Sequence, residues 1–378
     1  MKIILATGIY PPEIGGPATY VQHLSEELTK LGCKIKIVSY GQAGQQHPQL
    51  SIVNKNSSLL IRYFKYFWQV FNLCKWAEAV YILDLMSAGF PAIIAAKIRG
   101  KKVVFRTGGD FLWEKAFQNG WTKLPLVQYY EASKNFKEKL LLKFCGWLLK
   151  KIDAVVFSTK LQAAIYQKYY QLAEKKIKFI DNALPAINIR NVQDYNQDSI
   201  VFAGRLIKLK NLGSLINAFS RSNNNKVKLL IYGEGPEKKN LEHKISNLNL
   251  TGQVKLLGNI DHQKLLEAMA GCKFVILPSL TEISPNLVLE CLSMGQPIIV
   301  TQETGFSDDI KEELITINPQ SEADIKEKID YLLEPNNLAD YLSRLKKIKV
   351  ENRSWQQVAQ EHHQIFKSLL ANEKGIVN

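Results

Sequence analysis

The sequence has no long hydrophobic run. Its 378 residues contain no stretch of about 18 uninterrupted apolar residues, so a membrane-spanning helix is not expected. The N-terminal MKIILATGIYPP combines a short apolar run with a Pro-Pro turn, and it lacks the hydrophobic region and cleavage site of a signal peptide. We therefore expect the protein to be cytoplasmic.

Cysteine is scarce, and metal-binding motifs are missing. The five cysteines are dispersed, without the close pairing of a metal site. In a chain without a signal peptide, this pattern favours buried free thiols in a reducing compartment. No Asp-x-Asp motif with a neighbouring histidine is found, and no pair of carboxylates suggests glycosidase geometry. We expect no metal and no other cofactor.

Acidic residues are scarce in the first half of the chain. Residues 1–190 hold 27 Lys and Arg against 12 Asp and Glu, or 27 − 12 = +15, whereas residues 191–378 hold 22 and 23, or −1. This asymmetry favours an anionic partner for the basic half, such as a membrane surface or a phosphate-bearing substrate. No nucleic-acid-binding motif accompanies the charge, so we expect no nucleic-acid partner.

The chain does contain two successive series of alternating strand and helix patterns. The first has the strand-like runs KIILATG, KIKIVSYG, AVYILDL, KKVVFRTGG and DAVVFST, and the second has IVFAGRL, VKLLIYGEG, VKLLGNI, CKFVILPS and PIIVTQE. Such alternation predicts parallel sheets covered by helices. We predict an α/β fold with two Rossmann-like, doubly wound domains, 1–190 and 191–350, separated near the polar stretch 191–199. Ligands of such domains bind beyond the carboxyl ends of the strands.

The segment TEISPNLVLE (281–290) places two glutamates eight residues apart, around a turn that opens a predicted helix. Unpaired backbone N–H groups in the first helical turn favour an anion such as a diphosphate. Glu290, inside the helix, suits a ribose diol, and Glu282, on the loop, suits sugar hydroxyls. Alternatively, Glu282 caps the helix and Glu290 lies on a solvated face. The predicted anion-binding positions are Ser284, Asn286 and Leu287.

Two cations and two glycines follow other strands of the second half. Arg205 and Lys210 lie in FAGRLIKLKNL, where they can neutralise the two phosphates of a nucleotide leaving group or remain solvated loop cations. Gly233 and Gly235, in YGEGP, allow close approach of a nucleobase or ribose, or form a plain turn. The third glycine of a dinucleotide-binding fingerprint is missing.

In the first half, Gly15 and Gly16 follow the first strand in TGIYPPEIGGPATYV, where a backbone N–H can reach a phosphate or a sugar. Together with the three segments above, this loop resembles the retaining GT-B glycosyltransferases of family 4. The resemblance covers nearly the whole chain, up to the Ser-Trp that begins a last helix. It implies a nucleotide-diphosphate-sugar co-substrate, with Gly16 near the diphosphate, Glu290 on the ribose and Glu282 on the donor sugar. The implied diphosphate ligands are Arg205, Lys210 and the helix N-terminus.

The resemblance also implies transfer with retention to a glycolipid or surface-polysaccharide acceptor, the departing phosphate helping to deprotonate that acceptor. It implies a final helix, roughly 355–370 within 351–378, that crosses back to the first domain. One segment departs from the family pattern. Many members carry a histidine after the strand KKVVFRT, whereas this chain has Gly109 followed by Asp110. Asp110 then orients an acceptor hydroxyl or caps the segment that follows.

Two segments of the first half have amphipathic patterns, with basic residues on one side. In 59–77 we expect one face against the core and the other solvated, and in 134–151 a lysine face containing Trp147 lies opposite an apolar stripe. A lysine face with tryptophan suits an anionic membrane surface, or it is an ordinary solvated face. The predicted core positions are Leu60, Phe64, Phe67, Phe71 and Cys74 in the first segment and Leu141, Phe144, Cys145, Leu148 and Leu149 in the second.

Two other functions remain open. A GT-B epimerase acting on a UDP-sugar would need carboxylates and histidines clustered at the ligand site, and the six histidines lie outside the loops identified above. A degenerate nucleotide-sugar-binding protein is compatible with Gly109. Hydrolysis of a donor in the absence of acceptor would separate a transferase from a binding protein.

Overall fold

The computed structural model describes residues 1–13, 15–42, 49–187, 189, 198–222 and 226–374. The chain divides into two compact units. The first unit contains Met1–Asn119, Ala132–Ala183 and the chain from Arg353 on, and the second contains Gly120–Glu131 and Leu184–Asn352. Most of the predicted linker, residues 191–197, lies outside the described residues.

A parallel sheet of seven strands lies at the centre of the first unit, in the order β3-β2-β1-β4-β5-β6-β7. Its central strands are buried on both faces, which explains their uninterrupted apolar sequences. The strands are β1 (Lys2–Thr7), β2 (Lys34–Gly41), β3 (Leu50–Asn54), β4 (Ala79–Ile82), β5 (Lys102–Arg106), β6 (Ala154–Phe157) and β7 (Ile177–Phe179). The helices are α1 (Gly16–Lys30), α2 (Leu59–Leu73), α3 (Gly89–Ile98), α4 (Phe111–Gln118), α6 (Phe136–Lys151), α7 (Lys160–Tyr170) and α15 (Trp355–Lys374).

The second unit is built on a parallel sheet of six strands, in the order β10-β9-β8-β11-β12-β13. The strands are β8 (Ser199–Ala203), β9 (Lys228–Tyr232), β10 (Val254–Gly258), β11 (Phe274–Leu277), β12 (Ile298–Thr301) and β13 (Ile315–Ile317). The helices are α5 (Leu126–Glu131), α8 (Leu212–Ser220), α9 (Lys238–Asn247), α10 (His262–Ala270), α11 (Asn286–Ser293), α12 (Asp308–Glu313), α13 (Glu322–Leu333) and α14 (Pro335–Leu345). The predicted α/β fold, with two Rossmann-like parallel-sheet units, is confirmed.

Two parts of the chain belong to a different unit from their neighbours in the sequence. Gly120–Glu131, which includes α5, belongs to the second unit, although it lies within the range 1–190. Helix α15 belongs to the first unit, and its buried His362 is central to that packing. The His362 Nε2 atom lies 2.7 Å from the Tyr81 hydroxyl of β4, and Nδ1 lies 2.8 Å from the Val358 carbonyl oxygen.

The predicted orientation of α2 is wrong at its N-terminal end, although Cys74, which follows the helix, is buried as predicted. Leu60 and Phe64 are 80% and 67% exposed, whereas Tyr66 and Val70 are buried. The Tyr66 hydroxyl lies 2.7 Å from the Val38 carbonyl oxygen at β2 and 3.1 Å from the Thr7 carbonyl oxygen. The buried tyrosine therefore has hydrogen-bond partners in the core, and the aliphatic residues at the N-terminal end of the helix face outward.

The predicted orientation of α6 is confirmed in its second half. Cys145, Leu148 and Leu149 are buried, and the lysines on the opposite side are exposed together with Trp147. An Asn135–Glu138 capping box begins this helix, each side chain accepting a hydrogen bond from the other residue's backbone N–H.

The cysteine prediction is also confirmed, because all five cysteines are buried and free. Burial raises the pKa of the Cys145 and Cys272 thiols to about 12, so both are protonated at neutral pH. Among the helices of the described residues, none is both long enough and apolar enough to cross a membrane.

Candidate active site

The loop after β8 carries both predicted diphosphate-binding cations. Arg205 is exposed, and Lys210 ends a short 3-10 helix, Lys208–Lys210. Asn211 then takes a left-handed conformation, with φ 54°, which asparagine tolerates better than most residues. The backbone N–H of Leu280 donates to the Leu209 carbonyl at 3.0 Å, so the loop is joined to the segment that contains Glu282.

The structure brings Lys210 and Glu282 together. The Lys210 ammonium lies 2.5 Å from Glu282 Oε1, and the two side chains are 23% and 10% exposed. Ser279 donates a second hydrogen bond to the same oxygen, at 2.5 Å. A largely buried carboxylate is therefore paired with a cation and a hydroxyl at the carboxyl edge of the sheet. Sequence reasoning identified Lys210 and Glu282 separately, but it missed their contact and the role of Ser279.

The backbone at Glu282 is fixed by the loop that follows β12. The Glu282 N–H donates to the Glu303 carbonyl at 3.0 Å, and the Gly305 N–H donates to the Glu282 carbonyl at 2.9 Å. The Glu303 carboxylate accepts a hydrogen bond from Thr281 at 2.6 Å. Sequence reasoning missed Thr281 and Glu303. The sequence could have suggested their proximity, because Thr281 follows β11 and Glu303 follows β12. These strands are parallel neighbours, and the loops that follow such strands meet at one edge of the sheet.

Helix α11 begins at Asn286, with Pro285 as its N-cap residue and no side-chain cap. The N–H groups of Val288 and Leu289 donate to the Pro285 carbonyl, both at 3.1 Å, and the Asn286 N–H donates to the Ser284 carbonyl at 2.9 Å. Ser284 and Asn286 thus lie at the start of the helix, as the sequence predicted. Binding of an anion by these residues and by Leu287 stays a prediction.

Glu290 lies in α11 and is 17% exposed. His262, the first residue of α10, places Nε2 3.4 Å from Glu290 Oε1, and this hydrogen bond raises the pKa of His262. The six histidines lie outside the candidate loops in the sequence, yet the structure brings His262 into contact with Glu290. The position of His262 in the sequence could have suggested this proximity, because His262 follows β10 and begins a helix, as residues of the candidate site do after other strands.

Gly233 and Gly235 lie against protein backbone. A Cβ atom on Gly233 would lie 1.9 Å from the Gly204 carbonyl oxygen, and one on Gly235 would lie 2.3 Å from that of Leu206. Gly233 also has a φ of 131°, which favours glycine. Both glycines are therefore required to support the loop that carries Arg205. A contact with a nucleotide stays a prediction for each.

In the first unit, Gly16 begins α1 and has open space where a side chain would start. Asp110 is fully buried and caps α4, accepting a hydrogen bond from the Trp113 N–H at 2.9 Å. This is the capping role considered above, and direct contact with an acceptor would require the surroundings of Asp110 to open. A Cβ on Gly109 would lie 2.4 Å from Glu114 Oε1, so the Glu114 side chain takes the space of any larger residue there.

Comparison with known protein families identifies the chain. Residues 187–348 match the family model described as glycosyl transferases group 1, and residues 14–186 match the model described as Glycosyltransferase Family 4. The chain is a group 1 glycosyltransferase. The two models meet between residues 186 and 187, near the point where the second compact unit resumes at Leu184.

Similarities to individual proteins are consistent with membership of this family. An uncharacterised glycosyltransferase of Methanocaldococcus jannaschii is 24% identical, over 97% of this chain and 98% of its own. A Campylobacter jejuni enzyme named N-acetylgalactosamine-N,N'-diacetylbacillosaminyl-diphospho-undecaprenol 4-alpha-N-acetylgalactosaminyltransferase is 31% identical, over 49% of this chain and 52% of its own. The Anabaena protein HepE, solved with UDP-glucose, has a TM-score of 0.72 at 16% identity, covering 97% of this chain and 100% of its own. The structural similarity shows that the glycosyltransferase has the GT-B fold, and at this low sequence identity it shows the fold alone.

The described residues contain no group of three or more His, Cys, Asp and Glu side chains that could hold a metal ion. The candidate site of the second unit instead combines the cations Arg205 and Lys210 with the carboxylates Glu282 and Glu290. Transfer without a metal stays a prediction.

Proposed function

We propose that this glycosyltransferase moves a sugar from a nucleotide-diphosphate-sugar to a lipid-linked glycan or surface-polysaccharide acceptor, with retention of the anomeric configuration. The observation that carries the proposal is the Lys210–Glu282 pair. It places a cation, a carboxylate and the start of α11 at the carboxyl edge of one sheet. A diphosphate attached to a sugar has the matching chemistry, because its phosphates need cations and its sugar presents hydroxyl donors.

The proposed donor site assigns a separate task to each charged group. Arg205, Lys210 and the N-terminus of α11 stabilise the charge that develops on the departing diphosphate. Lys210 has three N–H donors, so it can retain Glu282 while binding a phosphate oxygen. Glu282 binds the donor sugar and Glu290 binds the ribose. In the retaining scheme the departing phosphate oxygen accepts the acceptor's proton on the same face of the sugar, and the protein mainly positions the two substrates.

Two similarities support the choice of substrates. The Anabaena structure was solved with UDP-glucose, and the name of the Campylobacter enzyme specifies a diphospho-undecaprenol acceptor. We therefore propose a nucleoside-diphosphate sugar, with a uridine nucleotide as the first donor to test, and an acceptor attached to a lipid diphosphate.

A lipid-linked acceptor also requires access to a membrane, and the first unit has a suitable surface. We name it the outer α2–α6 face. Phe90 of α3 joins its two helices, since its ring contacts Tyr63 of α2 at 5.7 Å and Phe144 of α6 at 5.4 Å between centroids. The exposed apolar residues of α2 and α6, from which we define this face, are Leu59, Leu60, Ile61, Phe64, Trp68, Phe136, Leu140 and Trp147. Exposed lysines accompany them, at positions 65, 137, 139, 143 and 150.

We propose that an anionic lipid bilayer covers the outer α2–α6 face. The +15 charge of residues 1–190 provides the charge complementarity, and each surface lysine near an anionic bilayer contributes about 1 kcal/mol. The apolar side chains add a contribution that salt does not screen, because burying them in the acyl boundary removes apolar area from water. The enzyme would then bind the membrane peripherally.

The donor proposal is tested by thermal shift with a panel of nucleoside diphosphates and their sugars. A true donor at a hundredfold excess over its Kd should stabilise the protein by about 2.7 kcal/mol. The selected donor is then incubated without acceptor. Slow hydrolysis with release of the nucleotide supports a transferase, whereas an epimerised sugar or binding without turnover would overturn the proposal.

The membrane proposal is tested by sedimentation with vesicles containing phosphatidylserine, compared with purely zwitterionic vesicles. Two sets of variants separate its components. Changing Lys139, Lys143 and Lys150 to Glu should abolish most of the salt-sensitive part of binding. Changing Leu60 and Phe64 to Ser should weaken the binding that remains at high salt. A wild-type protein that stays in the supernatant at low salt would exclude the bilayer as the partner of this face.

A further inference from the structure

Helix α5 is a short helix of six residues. It begins at Leu126, directly after Pro125, which has no side-chain hydrogen-bond acceptor. A helix of fewer than about 12 residues is marginal in isolation, so its first backbone N–H groups need partners from elsewhere. The apolar side chains of Leu126, Tyr129 and Tyr130 are buried, so α5 is nevertheless an integral part of the second unit.

The partners of those N–H groups are far away in the sequence. The Leu126 N–H donates to the Thr281 hydroxyl at 2.9 Å, and the Val127 N–H donates to Glu303 Oε1 at 3.0 Å. Thr281 in turn donates to Glu303 Oε1 at 2.6 Å. A serine or aspartate before the helix would have capped it locally, and the chain instead uses a hydroxyl 155 residues away and a carboxylate 176 residues away.

The two capping residues also hold Glu282. Thr281 precedes Glu282 in the chain, and the Glu303 carbonyl accepts the Glu282 N–H at 3.0 Å. Thr281 and Glu282 are 7% and 8% exposed, so the hydrogen bonds around them are largely shielded from water. Burial raises the pKa of Glu303, and the hydrogen bonds donated by Thr281 and by the N–H groups of α5 oppose this increase. The cap of α5 and the position of Glu282 therefore depend on the same two residues, Thr281 and Glu303.

We propose that Thr281 and Glu303 are positioning residues that couple the segment Gly120–Glu131 to the placement of the Glu282 carboxylate. Their role in catalysis rests on the proposed function, in which Glu282 contacts the donor sugar. Loss of the Thr281 hydroxyl would remove one of the two acceptors of the Leu126 N–H and one hydrogen bond to Glu303, and both α5 and the loop before α11 would loosen together. Sugar transfer would then fall, although Arg205 and Lys210 would still be present to bind the diphosphate.

The test uses the full chain with Thr281→Val, which keeps the shape and removes the hydroxyl, and Thr281→Ser, which restores it. Hydrogen–deuterium exchange should rise about tenfold in Thr281→Val, both in residues 120–131 and in residues 279–286. With a UDP-sugar donor, kcat should fall at least about tenfold while the Kd for UDP changes less than about twofold. Thr281→Ser should recover both exchange and turnover. Thr251→Val, on an exposed turn of the same unit, is the matched control.

Faster exchange confined to residues 120–131, with residues 279–286 unchanged, would show that the cap only stabilises α5 and would overturn the coupling. Normal kcat in Thr281→Val would overturn the positioning role. If the wild type turns over no nucleotide sugar, the proposed function fails, and the exchange measurement alone then decides whether the two segments are coupled.

Discussion

Glu282 and Asp110 make an informative pair. Both are buried carboxylates that lie just beyond the carboxyl end of a parallel strand, one in each unit. Glu282 is paired with the ammonium of Lys210 and the hydroxyl of Ser279, whereas Asp110 accepts the backbone N–H of Trp113 at the start of α4. Position in the fold is thus alike, and the partners differ.

The difference shows how to interpret a buried carboxylate in such a fold. A backbone N–H at a helix start has few other partners, so the carboxylate that caps it has a structural task. A mobile ammonium has spare donors and can also bind a ligand. We therefore expect substitutions near Glu282 to affect mainly turnover, and substitutions of Asp110 to affect mainly stability.

The largest effect is expected for Lys210→Ala. Removing a charge that stabilises the departing diphosphate should lower kcat by about a hundredfold or more, with a much smaller change in melting temperature. Lys208→Ala provides the matched control, because Lys208 is an exposed lysine of the same 3-10 helix. Equal kcat values for the two variants in a donor-turnover assay would remove Lys210 from the proposed site.

A stability effect of intermediate size is expected for Asp110→Ala. Loss of a helix cap costs about 1–2 kcal/mol, and urea denaturation should show this loss. Asp110→Asn keeps an acceptor for the Trp113 N–H and should recover most of the stability. A catalytic Asp110 would give the opposite pattern, in which the asparagine variant is stable and nearly inactive.

The strands that sequence reasoning missed are the short ones at the sheet edges. β3, β7 and β13 have three to five residues each and lie at the ends of the strand orders, whereas the buried central strands have clear apolar runs. An edge strand pairs on one side only, so its sequence needs less apolar character. The pattern of central strands was sufficient to predict both sheets.

Side-chain partners were harder to predict than strands. The sequence showed Lys210 and Glu282 as separate signals, and only the fold shows that they touch. The prediction for the N-terminal end of α2 failed for a related reason, because the period of the aliphatic residues does not show that the Tyr66 hydroxyl contacts the Val38 and Thr7 carbonyls in the core. The distant caps of α5 could not be read from the chain, since no local signal marks residues 281 and 303 as its partners.

The smallest effect is expected at the second glutamate of the site, Glu290. The hydrogen bond to Glu290 raises the pKa of His262, so this contact is present below the ordinary histidine pKa and is lost as the pH rises through the raised value. If Glu290 binds ribose, a nucleotide competes with protonated His262 for the carboxylate. UDP should therefore bind more tightly as the pH rises through this range, by at most about tenfold per pH unit for one proton. His262→Ala should remove that dependence in calorimetric titrations at pH 6 and pH 8, whereas His243→Ala, at an exposed position of α9, should keep it. Identical pH dependence in the wild type and His262→Ala would mean that the nucleotide does not compete for Glu290, and the ribose assignment would have to move to another residue.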